Sequence, residues 1–260
     1  MINLTTGQLE TWIGQVIWPF IRVGSCLMVA PVFSSQSVPV RIRIVLAGAI
    51  ALILAPMVAI PAGLSAFSIE GLMVTAQQVV IGIALGFCLQ LVFDAVTLSG
   101  QLIGNSMGLS YAMSLDPVRG VSSTSVGELY SIFVTLVFLA LNGHLRLIEI
   151  LADGFRTLPI GGTGFATANL WQVVIWGGTI FSASLAIALP AITALLIVNF
   201  AFGMVSRAAP SLNLMAVGFP VILVCGLLVL VVTVPQLLSS FERLLAQVFM
   251  LLQALSGARI

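Results

Sequence analysis

The residues of this sequence that could do chemistry are few, and most lie inside or beside long apolar segments. A charge in such a segment is costly to bury, so it either pairs with another group or marks a pathway for ions. The charges in this position are Arg22, Asp94, Glu128, Arg146, Glu149, Arg207 and Glu242. Because both signs are present, we expect buried ion pairs. A proton relay is the alternative, and it would prefer titratable groups in series along one helix, which we do not find.

The single histidine and the three cysteines indicate structural positions. His144 follows Leu141-Asn142-Gly143, where glycine can end a helix and histidine can sit near its C-terminus. A metal site needs more ligands than one histidine and scattered carboxylates. The cysteines lie in apolar runs without a CxxC pair: Cys26, Cys88 and Cys225. With no catalytic triad, phosphate loop or dinucleotide fingerprint, we expect no enzyme activity, metal or cofactor.

One apolar segment carries polar and small residues at intervals of four. Gln78, Gly82, Gly86, Gln90 and Asp94 would share one face of a helix. Gly82 and Gly86 form a GxxxG pair, which permits another helix to approach closely. The spacing continues in Gly100, Gly104 and Gly108. We predict that these glycines are packing faces, in particular against partner chains; a stripe that lines a conduit is the alternative.

The composition excludes a soluble protein. Of the 260 residues, 60% are hydrophobic and 7% are charged, whereas about 25% charge is usual in soluble proteins. The net charge of +1 gives no basic field for nucleic acid. All nine cationic residues are arginine, and the mean hydropathy is +1.22. The N-terminal segment lacks a basic stretch and a cleavage site, so we expect it to be retained in the mature chain.

The apolar runs are long and continuous, which predicts membrane helices. They are Trp12–Phe33, Ile44–Leu64, Gly71–Phe93, Leu129–Leu145, Thr157–Ser206 and Ala208–Phe241. Six prolines inside these runs predict kinked helices that pack on protein: Pro19, Pro56, Pro61, Pro190, Pro220 and Pro235. The arginines of successive connections give conflicting orientations under the positive-inside rule, so the number of crossings is left open.

The segment Gly104–Gly127 is polar between apolar neighbours. It contains four glycines and six serines, which makes it a poor helix former. It is long for a structureless connection, and such loops are often functional. We expect either a solvated loop or a segment that plugs or lines a cavity.

Short motifs follow one another along almost the whole chain: Arg22 to Ser25, Ala30-Pro31-Val32-Phe33, Val38-Pro39-Val40-Arg41, Gly100 to Gly104, Asp116-Pro117, Phe138 to His144, Asn199, Ser206 to Pro210 and Gly218-Phe219-Pro220. Their order and spacing resemble those of the FliR family of flagellar biosynthesis proteins. The resemblance implies an all-α integral membrane protein of long, kinked helical hairpins within a helical multi-subunit channel complex. Residues 1–165 would form a FliP-like unit with the loop 104–127, and residues 166–260 a FliQ-like hairpin.

The resemblance also implies a role in the export gate of type III secretion, in the bacterial inner membrane at the flagellar basal body. The partners would be several FliP-like and FliQ-like subunits, FlhB-like and FlhA-like export components, unfolded export substrates and membrane lipid. A virulence-type homologue of the same gate is one alternative. A small-solute secondary transporter is another, and the stripe from Gln78 to Asp94 is its candidate site.

Two groups of site residues follow. By position, the loop 104–127 corresponds to the family's pore plug, which would comprise Met107, Leu109, Tyr111, Met113, Leu115, Asp116, Pro117 and Arg119. The expected buried polar or ion-paired residues are Arg22, Asp94, Asn142, His144, Asn199 and Arg207. Arg207 stands alone between two long charge-free stretches, so we expect it to be buried and paired.

Overall fold

The computed structural model describes residues 6–35, 37–61, 64–65, 68–109, 125–162, 165, 167–208 and 214–257. Within them the chain forms eight α-helices, one short 3-10 turn (Ala55–Met57) and no strand. The helices are α1 (Thr6–Val29), α2 (Val40–Leu54), α3 (Ile69–Ser106), α4 (Ser125–Ala140), α5 (Gly143–Thr157), α6 (Thr167–Gly177), α7 (Thr179–Ala208) and α8 (Leu214–Leu255). The predicted all-α class is confirmed.

Most of the helical part of the chain consists of stretches that are long and apolar enough to cross a membrane. Five such stretches lie in the described ranges: Trp12–Val29, Val40–Met57, Ile69–Ser106, Thr167–Val205 and Gly218–Leu255. α4 and α5 would add a sixth if the pair, which is bent by 63°, were one span. The 38 residues of α3 are about 57 Å long, nearly twice the roughly 30 Å thickness of a bilayer core. The chain is therefore an all-α membrane protein whose longest helices exceed the bilayer.

Four of the six prolines in the apolar runs lie inside helices. Pro19 is in α1, Pro190 in α7, and α8 contains both Pro220 and Pro235. The other two are outside α2: Pro56 stands in the 3-10 turn that follows this helix, and Pro61 lies beyond the turn. Pro56 has no backbone N–H to donate to a carbonyl of the preceding turn, which explains why α2 ends at Leu54.

The chain divides into two compact units, and neither is continuous in sequence. The first unit comprises Met1–Leu91, Phe138–Gly177 and Leu245–Ile260, and the second comprises Val92–Val137 and Gly178–Leu244. These units do not coincide with the predicted division at residue 165. That division concerned likeness to two kinds of subunit, and it stays a prediction.

The core of the first unit joins four helices. Its buried residues are Trp18, Val23 and Leu27 of α1, Ala47, Ile50 and Leu54 of α2, Val74 of α3, Phe155 of α5, and Val58 and Ile160. The end of α8 belongs to the same unit, where Leu252 and Leu255 are buried. There the Thr157 hydroxyl donates a hydrogen bond to the Ser256 carbonyl oxygen, so the end of α8 is tied to the end of α5.

In the second unit, an aromatic pair links α3 to α8. The rings of Phe93 and Phe241 meet edge to face, with centroids 5.6 Å apart and an interplanar angle of 89°. Tyr130 of α4 and Leu195 of α7 are buried in this unit as well. All four helices therefore contribute buried residues to this unit.

The corner between α4 and α5 differs from the sequence prediction. Asn142, and not Gly143, takes the left-handed backbone conformation, with φ of 56°. Gly143 instead begins α5, and it must be glycine because the ring of Phe138 occupies the space that a Cβ would need. His144 therefore follows the C-terminal end of α4 at Ala140 and lies in the first turn of α5.

Candidate functional site

Arg22 of α1 is the most buried charged group in the described part of the chain, with 1% of its surface exposed. Its Nε donates to Oε1 of Gln78 on α3 at 2.7 Å. Its Nη1 donates to the Gly154 carbonyl and its Nη2 to the Leu158 carbonyl, both at 3.0 Å. The guanidinium carbon lies 4.1 Å from the centroid of the Phe155 ring. One side chain thus connects α1, α3 and the end of α5.

The groups that hold Arg22 carry no formal charge. Gly154 lies in the last turn of α5 and Leu158 is its C-cap residue, so both carbonyls belong to the partially negative end of a helix. The face of an aromatic ring is also electron-rich and attracts a cation. The prediction that Arg22 is a buried polar residue agrees with its position. Among the described residues, the groups that compensate its charge are a helix end, an amide oxygen and an aromatic ring.

Gly82 and Gly86 lie where α3 meets the backbone of α1. A Cβ added to Gly82 would overlap the carbonyl oxygen of Arg22 and Oγ of Ser25. A Cβ added to Gly86 would lie 2.6 Å from the Cys26 carbonyl oxygen and 3.1 Å from the Ala30 nitrogen. Such distances are shorter than a carbon contact allows. The neighbour of this GxxxG face among the described residues is the chain's own α1, so the predicted close packing occurs here within one chain.

The other three predicted packing glycines lie near the end of α3 in the second unit. Gly100 faces α4, where an added Cβ would come within 2.9 Å of the Gly127 Cα. Gly104 is buried. Gly108 has φ of 80° and ends α3 in a Schellman arrangement, in which Leu109 N donates to Gly104 O and Gly108 N donates to Asn105 O. Gly108 is therefore a helix terminator, and its assignment to the packing stripe was wrong.

Met107 is the first residue of the predicted plug that the structure describes, and it is fully buried. Its Cε, Cγ and Sδ would lie 2.5 to 2.9 Å from a Cβ added to Gly226 of α8. Leu109 is half-buried. The remaining predicted plug residues lie outside the described ranges: Tyr111, Met113, Leu115, Asp116, Pro117 and Arg119.

The predicted buried polar residues are found in different environments. Asp94, His144 and Asn199 are half-buried, and Nδ1 of His144 has no hydrogen-bond partner among the described residues. The Asn199 amide donates to the Ser106 carbonyl at 3.5 Å. Asn142 and Arg207 are exposed, so the prediction of burial was wrong for both within this chain. Asn142 stands at a helix corner, and Arg207 in the last turn of α7, where a cation is favourable without burial.

Two tryptophans make contacts that the sequence analysis missed. Nε1 of Trp176 donates to the Cys88 carbonyl at 3.0 Å, and Nε1 of Trp18 donates to Thr75 Oγ1 at 3.2 Å. A tryptophan in an apolar run signals such a bond, because a buried indole N–H needs an acceptor. In the described ranges no three His, Cys, Asp or Glu side chains are grouped as metal ligands would be.

The contact between Met107 and Gly226 gives a testable prediction for the second unit. We expect Gly226→Val to lower the thermal midpoint of the purified protein, because overpacking a filled site costs about 1–3 kcal/mol. Met107→Ala in the same chain should restore part of the loss, since it removes the atoms that the valine would overlap. Gly48→Val is the matched control, because a Cβ there meets no atom within 4 Å. Additive losses in the double variant would contradict the contact.

The fold and these contacts define a membrane protein whose helices meet through glycine and whose buried arginine is held by neutral acceptors. Residues 13–248 match the model of the bacterial export proteins, family 1. The chain belongs to this family. It is 38% identical over 253 residues to the flagellar biosynthetic protein FliR of Escherichia coli (strain K12), covering 97% of this chain and 96% of the relative.

Other relatives carry the same name. The flagellar biosynthetic protein FliR of Pectobacterium carotovorum subsp. carotovorum is 37% identical over 252 residues, which cover 97% of this chain and 96% of the relative. The FliR protein of Bacillus subtilis (strain 168) is 26% identical over 217 residues, or 82% of this chain and 83% of the relative. The predicted resemblance to the FliR family is confirmed.

Proposed function

We propose that the chain is the FliR-type subunit of a flagellar export gate in the bacterial inner membrane, at the flagellar basal body. The family match, with relatives named flagellar biosynthetic protein along nearly the full length, is the observation that carries this proposal. Several FliP-like and FliQ-like subunits would surround the chain, and FlhB-like and FlhA-like components would deliver unfolded substrates. The chain would serve as a channel part, with energy supplied by other components.

The gating element in this proposal is the segment Gly104–Gly127, and the described residues at its two ends support the assignment. At one end, α3 ends at Ser106, and Gly108 closes the turn that follows, directly after the buried Met107. At the other end, Val126 and Gly127 of α4 lie against Gly100 of α3. A loop whose flanking residues are held by helix contacts can change conformation without separating those helices. Closure and release would therefore cost little rearrangement of the second unit.

The contacts of α3 argue against the transporter alternative. Gln78 uses its side-chain oxygen to bind Arg22, and Gly82 and Gly86 are covered by the backbone of α1. This part of the α3 face therefore packs on the chain itself, and only Gln78 also borders a small cavity of about 180 Å³. The names of the relatives also favour the flagellar gate over a virulence-type homologue.

Deletion of residues 110–120 tests the gate. We expect the complex to assemble and the membrane to become permeable to ions or small solutes, because Met107, Gly100 and Gly127 keep their contacts while the obstruction is removed. The measurements are complex yield on a native gel and ion conductance of cells that express the variant.

A second variant keeps the loop length and replaces Tyr111, Met113 and Leu115 with serine. It should also leak, because these side chains are proposed to fill the lumen and serine leaves it open. Normal yield with unchanged conductance in both variants would contradict the gate. Loss of assembly in both would instead identify the segment as a structural brace.

A further inference from the structure

A small cavity of about 180 Å³ adjoins the contacts of Arg22 in the first unit. Two residues in its wall hold Arg22, since Gln78 and Leu158 accept hydrogen bonds from Nε and Nη2 of the guanidinium. The rest of the wall includes Gln77, Thr157, Pro159 and Gly162. Sites for cofactors and drug-sized ligands usually have about 300–1,000 Å³, so this smaller cavity suits a single amino-acid side chain.

The side chain of Gln78 supplies hydrogen-bond donors to the cavity wall. Only 1% of Gln78 is exposed. A guanidinium can only donate hydrogen bonds, so the amide oxygen must be the atom that faces Arg22, and the amide nitrogen points away from it. No acceptor for this nitrogen lies among the described residues. A buried N–H group needs an acceptor, so the wall presents donors that fit an oxygen atom placed in the cavity.

The charge beside the cavity is positive. Among the described residues, Arg22 contacts only carbonyl oxygens, an amide oxygen and the ring of Phe155, and these groups are dipolar. A buried charge in a membrane protein usually pairs with a charge of opposite sign. The two charged residues of α5 nearest to the wall in sequence, Asp153 and Arg156, are exposed and opposite in sign, so together they add no net charge. A carboxylate in the cavity would bring the missing negative charge close to Arg22.

We propose that the cavity receives the side chain of an aspartate or glutamate from a neighbouring subunit of the assembled complex. This inference rests on the proposed function, because it requires a partner chain, and it adds the chemistry of one contact with that partner. Thr157, Pro159 and Gly162 are exposed, so the cavity can be entered from outside the chain. Water would also satisfy the amide donors of Gln78, but it brings no charge, so charges placed in the wall distinguish the two occupants.

The test places a charge of either sign at Gln77, which lines the cavity and is half-buried. The complex is purified through a tag on this chain, and the retained FliP-like and FliQ-like subunits are quantified by mass spectrometry per copy of the tagged chain. We expect Gln77→Glu to lower this retention about tenfold, because a like charge then faces the carboxylate. Gln77→Lys should retain the subunits as the parent does, since its ammonium attracts a carboxylate.

Gln247 of α8 provides the matched controls. It is exposed, belongs to the same unit and is not part of the cavity wall. Gln247→Glu and Gln247→Lys should both retain the partner subunits like the parent. Equal retention in Gln77→Glu and Gln77→Lys would overturn the proposal and identify water as the occupant, while leaving the proposed function intact. A parent chain that is purified without FliP-like or FliQ-like subunits would contradict the proposed function as well.

A photo-crosslinker attached to Gly162→Cys identifies the chain that enters the cavity, with the parent as the control for the three native cysteines. We expect a cross-linked peptide from a FliP-like or FliQ-like subunit that contains an aspartate or glutamate. Replacing that acidic residue with its amide should reproduce the loss seen in Gln77→Glu. Cross-links confined to residues 110–124 or 258–260 of this chain would overturn the proposal, because the chain itself would then fill the cavity.

Discussion

Replacing Gly82 or Gly86 with leucine will reduce the recovery of intact complex at least tenfold. The added Cβ atoms would overlap backbone atoms of α1, including the Arg22 and Cys26 carbonyl oxygens, and rotation of a side chain cannot relieve that overlap. The two helices must therefore separate, which disrupts the core of the first unit around Trp18 and Val74. Disruption of this kind costs more than about 4 kcal/mol, and each 1.4 kcal/mol corresponds to about a tenfold change in population.

The measurement compares intact complex on a native gel with total chain on a blot. Gly82→Ala should already fail, because the overlap arises at the Cβ that alanine shares with leucine. Gly48→Leu serves as the control on α2, where an added Cβ meets no atom. Normal yield from both leucine variants would show that α3 and α1 do not touch in this way.

Replacing Arg22 with alanine will have the second largest effect. The change leaves the carbonyls of Gly154 and Leu158 and the amide oxygen of Gln78 without the donor they now share. The Gly154 carbonyl keeps the Leu158 N–H as a donor, whereas each of the other two acceptors loses its partner at a cost of about 1–3 kcal/mol, so we expect a total of about 2–6 kcal/mol. The thermal midpoint of the purified complex should fall accordingly.

Two further variants, Arg22→Lys and Arg156→Ala, provide the comparison for Arg22→Ala. Arg22→Lys keeps the charge, but a single ammonium cannot reach three acceptors in the planar arrangement of a guanidinium, so it should restore only part of the midpoint. Arg156→Ala removes an exposed arginine from α5 and should change the midpoint little. An Arg22→Ala midpoint equal to that of Arg156→Ala would contradict the proposed role of these contacts.

The fold class could be predicted from the sequence because the apolar runs are too long and too continuous for any soluble arrangement. The four-residue spacing of Gly82 and Gly86 also identified a face for close packing. The spacing could not identify the neighbour, because periodicity describes one helix and says nothing about the surface opposite. α1 supplies that surface from a segment more than 50 residues earlier.

The environments of Arg22 and Arg207 could be predicted only in part from the sequence. Arg22 could be predicted to be buried, but its acceptors include the backbone carbonyl of Gly154, which is 132 residues away. Every residue has a carbonyl, so no side-chain pattern marks the ones that bind a cation. Arg207 was expected to be buried because charge-free residues flank it on both sides. It is exposed because it falls at the end of α7, and hydropathy alone did not locate that end.

The hydrogen bond between Thr157 and Ser256 bears on when the first unit can finish folding during synthesis. The first unit contains α1 and the end of α8, which lie at opposite ends of the described sequence. At translation rates of about 5–20 residues per second, roughly 10 to 50 seconds separate the synthesis of Arg22 from that of Ser256. During that interval the surface that later receives Leu252 and Leu255 has no covering from α8. The first unit can therefore complete its packing only after the end of α8 has been synthesised. Nascent chains that stop earlier expose an apolar surface to chaperones and proteases.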